Sequence, residues 1–218
     1  GDVMLAKVYE QFLKIETDKL KDVLHAFNIC VSEVCEGQQW DMEFETKAKV
    51  TEAQYIEMIR QKTAALLGFS LELGAILADA PSEERIALKE FGINIGIGFQ
   101  LKDDLLDIYA DKKNFGKQVG GDIIANKKTF LLIKAKEKVR GKQKQELEKW
   151  LKAKKFDKRK KVKAVKAIYD QLNIVQLTQQ KIDDCFKKGF DSLDKSNADP
   201  LKKIELRNFA QNLINRIS

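Results

Sequence analysis

Two prolines, one histidine and three cysteines are spread over 218 residues, and each scarcity excludes something. With only Pro81 and Pro200 present, long stretches can run as uninterrupted helix, because proline is the residue that breaks a helix interior. Strand-like alternation of apolar and polar residues is also scarce, so the fold reads as all-α. Cys30, Cys35 and Cys185 are odd in number and show no metal-ligand spacing with His25, which argues against a disulfide framework or a structural zinc site. The cysteines are expected as buried thiols in a reducing cytoplasm, and His25 as a helix-surface or packing residue. No run of 18 apolar residues is present to form an integral membrane span. A basic-then-apolar leader is missing as well, which argues against secretion.

What is present is helical periodicity. Capping side chains precede apolar-periodic runs near Asp2, Thr17, Thr51 and Ser82, and Glu83 and Glu84 place acid in the first turn after Ser82. The run from Thr51 to about Leu77 turns apolar on all sides in its second half, the pattern of a helix central to a bundle. Gly68 and Gly74 within it, and Gly92, Gly96 and Gly98 further on, suit close helix packing. Amphipathic segments such as `KQELEKWLKA`, `VKAVKAIYDQL` and `IELRNFAQNLINRI` continue the bundle, and with no internal repeat or long linker residues 1–218 are expected to form one domain.

The net charge of +7 conceals an asymmetry: residues 112–166 hold 21 Lys/Arg against 5 Asp/Glu, or +16, leaving the remainder near −9. The later part, `KAKKFDKRKKVKAVK`, contains one aromatic, Phe156, and no nucleic-acid motif, so it reads as a solvated helix-loop-helix surface rather than a nucleic-acid site. A steep salt dependence of duplex binding would contradict that reading.

Immediately before the basic window stands `GFQLKDDLLDIYAD`. Asp103, Asp104 and Asp107 fall largely on one helical face with Gln100, while Leu101, Leu105 and Ile108 line the other. Carboxylates at this spacing repel one another, so a cation is required among them: lysines, or a hard divalent ion such as Mg²⁺, which takes oxygen ligands and brings a phosphate with it. The stretch that follows, `DKKNFGKQVGGDIIANKKTF`, interleaves Gly116, Gly120 and Gly121 with Lys117, Asp122, Lys127 and Lys128. Its backbone N–H groups and lysines can receive an anion, although the GxxxxGK[ST] order of a nucleotide P-loop is missing and no strand leads into it. A diphosphate accompanied by Mg²⁺ satisfies both halves.

These residues resemble the second aspartate-rich region of trans-isoprenyl diphosphate synthases, the polyprenyl synthetase family, in which a pattern like FQ-x-x-DD-x-x-D is followed by GK-x-x-G-x-D and a lysine. It stands as Phe99, Gln100, Asp103, Asp104 and Asp107, then Gly116, Lys117, Gly120, Asp122 and Lys127. Two upstream features agree: `GQQWD`, with Gly37, Gln38 and Asp41, and the pair Lys62 and Thr63. The family's first aspartate-rich motif and the arginine pair after it do not occur before Gly37. The chain is therefore expected to be an N-terminally incomplete, and by itself inactive, portion of a longer enzyme.

The resemblance implies a bundle of long antiparallel helices around a central cavity, working as a homodimer. It implies ionisation of an allylic diphosphate held through Mg²⁺, attack by isopentenyl diphosphate, and loss of a proton to the departing pyrophosphate. Asp103, Asp104 and Asp107 are implied as metal ligands, Lys62, Lys117 and Lys127 as partners of the diphosphate, and Gln100 and Thr63 as groups that orient substrate or meet developing charge. Gln38 is a further substrate-binding candidate, weighed equally against a packing role in a polar pair with Asp41. A non-catalytic subunit of a heteromeric prenyl synthase and a class I terpene cyclase are the alternatives, the first favoured by the missing motif. The lysine-glycine loop and the Lys62–Thr63 pair fit a chain-elongating enzyme better than a cyclase.

Overall fold

The computed structural model describes residues 2–14, 16–110 and 120–215, without the side chain of Asp2. Among the described residues the regular structure is entirely helical: α1 (Asp2–Phe12), α2 (Leu20–Thr46), α3 (Glu52–Ile59), α4 (Ala65–Leu77), α5 (Ser82–Tyr109), α6 (Gly121–Ala125), α7 (Phe130–Lys138), α8 (Gly141–Lys152), α9 (Lys158–Gln171), α10 (Ile174–Lys195) and α11 (Pro200–Ile214). None of these helices is long and apolar enough to cross a membrane.

Local sequence sets several of the boundaries. Thr51 caps α3 through a full capping box, its hydroxyl accepting from the Gln54 amide while the Gln54 side chain accepts from the Thr51 amide at 3.1 Å. Thr17 acts slightly ahead of its expected place: its hydroxyl accepts from the Lys19 amide at 3.1 Å in a turn, and α2 starts at Leu20. Ser82 is not a cap. Pro81 occupies that position in an extended conformation and Ser82 is the first helical residue, since proline's fixed φ suits the approach to a helix and its missing N–H is not needed there.

The expected single helix from Thr51 to Leu77 is divided. Residues Arg60–Ala64 form a π turn, in which the Ala65 amide reaches back five residues to the Arg60 carbonyl, and α3 and α4 flank it. A π turn is rare and costs regular hydrogen-bond geometry, so something must press on it. Both neighbours do, through glycines. A Cβ on Gly37 of α2 would lie 2.4 Å from the Lys62 backbone nitrogen, and one on Gly96 of α5 would lie 2.6 Å from the Ala64 Cα. The turn is thus gripped between two helices at a distance that admits no side chain. Arg60 adds a polar tie, meeting Glu33 of α2 at 2.9 Å and Glu57 through two hydrogen bonds at 2.8 Å. Gly74, expected at a close contact, has nothing within 4 Å of its would-be Cβ.

Helix α5 is the axis of the bundle, packed along α4 on one side and α10 on another. Its Phe91, Ile95, Leu101 and Ile108 are each at most 2% exposed and join Tyr55, Leu131, Val165, Ile182 and Phe186 in the main core. Each such side chain contributes roughly 1.5–3 kcal/mol by leaving water. A second, smaller core of Phe12, Val23, Phe27, Phe69 and Ile76 joins α1, the first half of α2 and α4, with the Phe12 and Phe27 ring centres 4.8 Å apart. Cys30 and Cys185 are buried as expected, whereas Cys35 is exposed on α2; all three are free thiols. His25 is on the surface.

Candidate functional site

Four segments distant in sequence converge on the aspartates of α5. The π turn supplies Lys62 and Thr63, α2 supplies Asp41, α3 supplies Tyr55, and α6 with the residues after it supplies Asp122 and Lys127.

A hydrogen-bonded chain runs through the centre. The Thr63 hydroxyl donates to Gln100 Oε1 at 3.1 Å, Gln100 Nε2 donates to Asp104 Oδ1 at 3.1 Å, and the buried Tyr55 hydroxyl donates to Asp104 Oδ2. Both oxygens of Asp104 are therefore engaged inside the protein, where the residue is 3% exposed. Burial, reinforced by the neighbouring charge of Asp122, pushes the Asp104 carboxyl up to about 7, against the opposing hydrogen bond from Tyr55. Asp104 thus anchors the direction of the Gln100 amide and, through it, of the Thr63 hydroxyl.

The other aspartates have separate tasks. Asp107 accepts from the Asp122 amide at 3.0 Å, and its own carbonyl accepts from the Gly120 amide at 2.6 Å, so it ties the start of α6 to the end of α5. Asp103 is half-buried on α5, one residue round from Asp104. The three carboxylates do not converge on one point. Among the described residues no three His, Cys, Asp or Glu side chains gather closely enough to hold a metal ion by themselves. A divalent ion at Asp103 would need additional oxygen ligands, and phosphate oxygens and water are what Mg²⁺ ordinarily takes beside one or two carboxylates.

Lysines face this acidic group. Lys62 Nζ pairs with Asp41 Oδ2 at 2.5 Å, so Asp41 meets Lys62 and not Gln38, which is exposed on α2. Burial lowers the Lys127 ammonium, but the carboxylates of Asp122, Asp104, Asp41 and Asp107 outweigh it and leave its pKa above the ordinary lysine value. Asp122 is itself pushed up to about 6 by burial and by the charges of Asp107 and Asp41, with Lys127 opposing. Burial is the main reason both carboxyls are raised, and the oxygen donors of this group are of the type a hard cation takes. Lys128 donates to the Glu45 carbonyl at the end of α2 at 2.6 Å. Asp41, Phe44, Glu45, Asn126, Lys127 and Lys128 line a cavity of about 350 Å³ between α2 and the α6–α7 connection. Asp111, Gly116 and Lys117 lie outside the described residues.

Among the expected site residues, Lys62, Thr63, Gln100, Asp104 and Lys127 belong to one electrostatic group, and Gln38 does not join it. Tyr55 was not expected: it stands 49 residues from its partner Asp104, and nothing in the local sequence distinguishes it from other core aromatics. Asp122 carried a signal in the spacing of the glycine-rich stretch but no role.

The family model described as polyprenyl synthetase matches residues 1–170. The chain belongs to this family. A family relative, the short chain isoprenyl diphosphate synthase of Methanocaldococcus jannaschii, is 46% identical over 136 residues, which are 62% of this chain and 41% of that protein. The chain thus spans less than half the length of the curated relatives it matches. Among solved structures, the geranylgeranyl pyrophosphate synthetase from Pyrococcus horikoshii superposes with a TM-score of 0.89 at 32% identity, covering 99% of this chain and 65% of that one. The geranylgeranyl pyrophosphate synthase from Corynebacterium glutamicum, complexed with isoprenyl diphosphate and magnesium, superposes with a TM-score of 0.87 at 26% identity, covering 98% and 60%. The all-α fold of the family is therefore the fold of this chain.

Proposed function

We propose that this chain carries the diphosphate-binding aspartate helix of a trans-prenyltransferase that joins an allylic diphosphate to isopentenyl diphosphate. The observation that carries the reading is the Thr63–Gln100–Asp104–Tyr55 chain beside Lys62, because it fixes two neutral dipoles next to a cation on a π-helical turn. Fixed dipoles aimed at a place where charge develops stabilise a transition state without reorganisation.

In this reading Asp103 would hold Mg²⁺, while Asp104 positions the Gln100 amide and Asp107 ties α6 to α5. When bound, the ion supplies Lewis-acid neutralisation of the charge that builds on the departing diphosphate. Lys62, Lys127 and Lys117 hold the diphosphate oxygens, with Lys62 exchanging its pairing with Asp41 for the substrate. As the allylic C–O bond breaks, its electron pair leaves with pyrophosphate. Thr63 and Gln100 present oxygen dipoles to the allylic cation, the isopentenyl double bond forms the new C–C bond, and the proton released from the isopentenyl unit passes to pyrophosphate. The C. glutamicum structure, complexed with isoprenyl diphosphate and magnesium, supports the substrate class. A cytoplasmic homodimer is the corresponding cellular form.

The test is incubation of the full-length protein with allylic and isopentenyl diphosphates and Mg²⁺, followed by chromatography of the products. A longer prenyl diphosphate is expected. A cyclic hydrocarbon would replace this reading with a terpene cyclase, and turnover only after addition of a second subunit would make the chain a non-catalytic partner.

A further inference from the structure

We infer that Lys161, in the basic third of the chain, is a positioning residue for Lys127; the inference rests on the diphosphate-site reading above. The stretch around Lys161 has the composition of a solvated surface, and its neighbours behave accordingly: Lys158, Arg159, Lys160 and Lys163 are exposed. Lys161 is 0% exposed. Burial of an ammonium is costly unless its protons are taken up. Burial lowers the Lys161 pKa from the usual lysine value, and two acceptors and a ring answer that cost: Nζ donates to Asn126 Oδ1 at 2.7 Å and to the Ile124 carbonyl at 3.2 Å, and lies 4.3 Å from the centre of the Phe156 ring.

Both acceptors belong to the end of α6. The last carbonyls of a helix have no partner within it and carry the negative end of its dipole, so a cation there is favourable for both reasons. Asn126, the residue that ends α6, is in the left-handed region at φ 55°, ψ 32°, and its side chain is held from both ends: Lys161 takes the oxygen, and the Leu151 carbonyl accepts from Nδ2 at 3.0 Å. That reversal turns the chain, and the Lys127 amide then closes onto the Asp122 carbonyl at 2.9 Å. The next side chain after the reversal is Lys127, the cation that answers Asp104, Asp107, Asp122 and Asp41. α6 is thus fixed at its start by Asp107 of α5 and at its end by Lys161 of α9. Helix α9 also presses Val162 on Gly120, where a Cβ would sit 2.7 Å from the valine methyl carbons. A methionine at 161 would fill the same space and leave the Ile124 carbonyl and the Asn126 side chain without their donor.

The full-length protein with Lys161→Met, Lys161→Arg and Asn126→Gly tests this, glycine keeping the left-handed backbone while removing the Lys161 bond. Binding of inorganic pyrophosphate with Mg²⁺ is measured by calorimetry, and exchange of the Lys127 amide by hydrogen-exchange mass spectrometry. Lys161→Met and Asn126→Gly are expected to weaken pyrophosphate binding about tenfold and to speed Lys127 amide exchange, with Lys161→Arg recovering most of both. In a Lys127→Ala background, Lys161→Met should add little further loss, because the two act through one contact. Wild-type affinity in Lys161→Met, or a loss that adds fully to that of Lys127→Ala, overturns the positioning role. Should Lys161→Met not fold, Asn126→Gly decides by the same readings. If the wild-type protein binds no pyrophosphate, the diphosphate reading fails, and unchanged Lys127 amide exchange in Asn126→Gly then overturns the anchoring as well.

Discussion

The aspartates of α5 and the lysines of α9 are both dense runs of one charge on a helix, and they dispose of that charge in opposite directions. On α5 the carboxylates turn inward and are divided among partners: Asp104 to Tyr55 and Gln100, Asp107 to the amide that begins α6. On α9 most of the cations turn outward, while Lys161 is buried and the half-buried Lys166 lies 4.3 Å from the centre of the Tyr109 ring. The difference is one of surroundings. α5 is enclosed by α4 and α10, so its polar groups must be satisfied within the protein, whereas most of the α9 lysines meet water and need nothing. A charged run therefore says little about chemistry until its neighbours are known.

The sharpest way to break this comparison is to remove Asp103, the α5 carboxylate that the proposed function assigns to the ion. On the prenyl-transfer reading, Asp103→Ala in the full-length protein is expected to lower product formation by about 10³-fold with the thermal midpoint nearly unchanged, as loss of a transition-state charge stabiliser does. Near-normal turnover would return Asp103 to the surface class of the α9 lysines. Next in size, Gly37→Ala forces a methyl group onto the Lys62 backbone, 2.4 Å away, and should destabilise the fold by about 1–3 kcal/mol in urea unfolding and impair turnover together. Unchanged stability would show that the π turn is not held by the close approach of α2.

A third test concerns pH. With the Asp104 carboxyl near 7 and that of Asp122 near 6, the folded protein keeps protons that the unfolded chain releases near 4. Stability from these groups therefore falls as pH rises from about 4 to about 7. Asp104→Asn should flatten that slope in melting curves recorded across the window. Mg²⁺ with pyrophosphate should raise the midpoint more at pH 7.5 than at pH 5, and a midpoint that climbs with pH in the free protein would contradict the raised pKa values of the buried carboxyls. The smallest effect is expected on α9, where Lys158→Ala and Lys160→Ala should each stay within about 0.5 kcal/mol of the parent, the ordinary range for exposed positions.

Helical class, the cap at Thr51 and the inward face of α5 were legible because each depends on residues within a turn or two: a capping box, a 3.6-residue period, an apolar stripe opposite carboxylates. The site was legible as a set of residue types, with Lys62, Thr63, Gln100 and the aspartates recognisable from their order. What each does was not. Asp104 looked equivalent to Asp103, and only the approach of Tyr55 from α3 distinguishes the buried Asp104 from the half-buried Asp103. The π turn could not be read from `RQKTA`, since it results from two glycines on other helices pressing against it.

By itself, the sequence determined that this chain is helical, that acid and base would meet around α5, and which residue types would meet there, because short-range periodicity and charge are local properties. Tertiary structure alone decided which aspartate is buried, that Lys62 pairs with Asp41, and that one lysine of a basic run turns inward to hold Asn126. Those outcomes depend on the desolvation and hydrogen-bond partners that distant segments impose, and no local pattern encodes the distance between them.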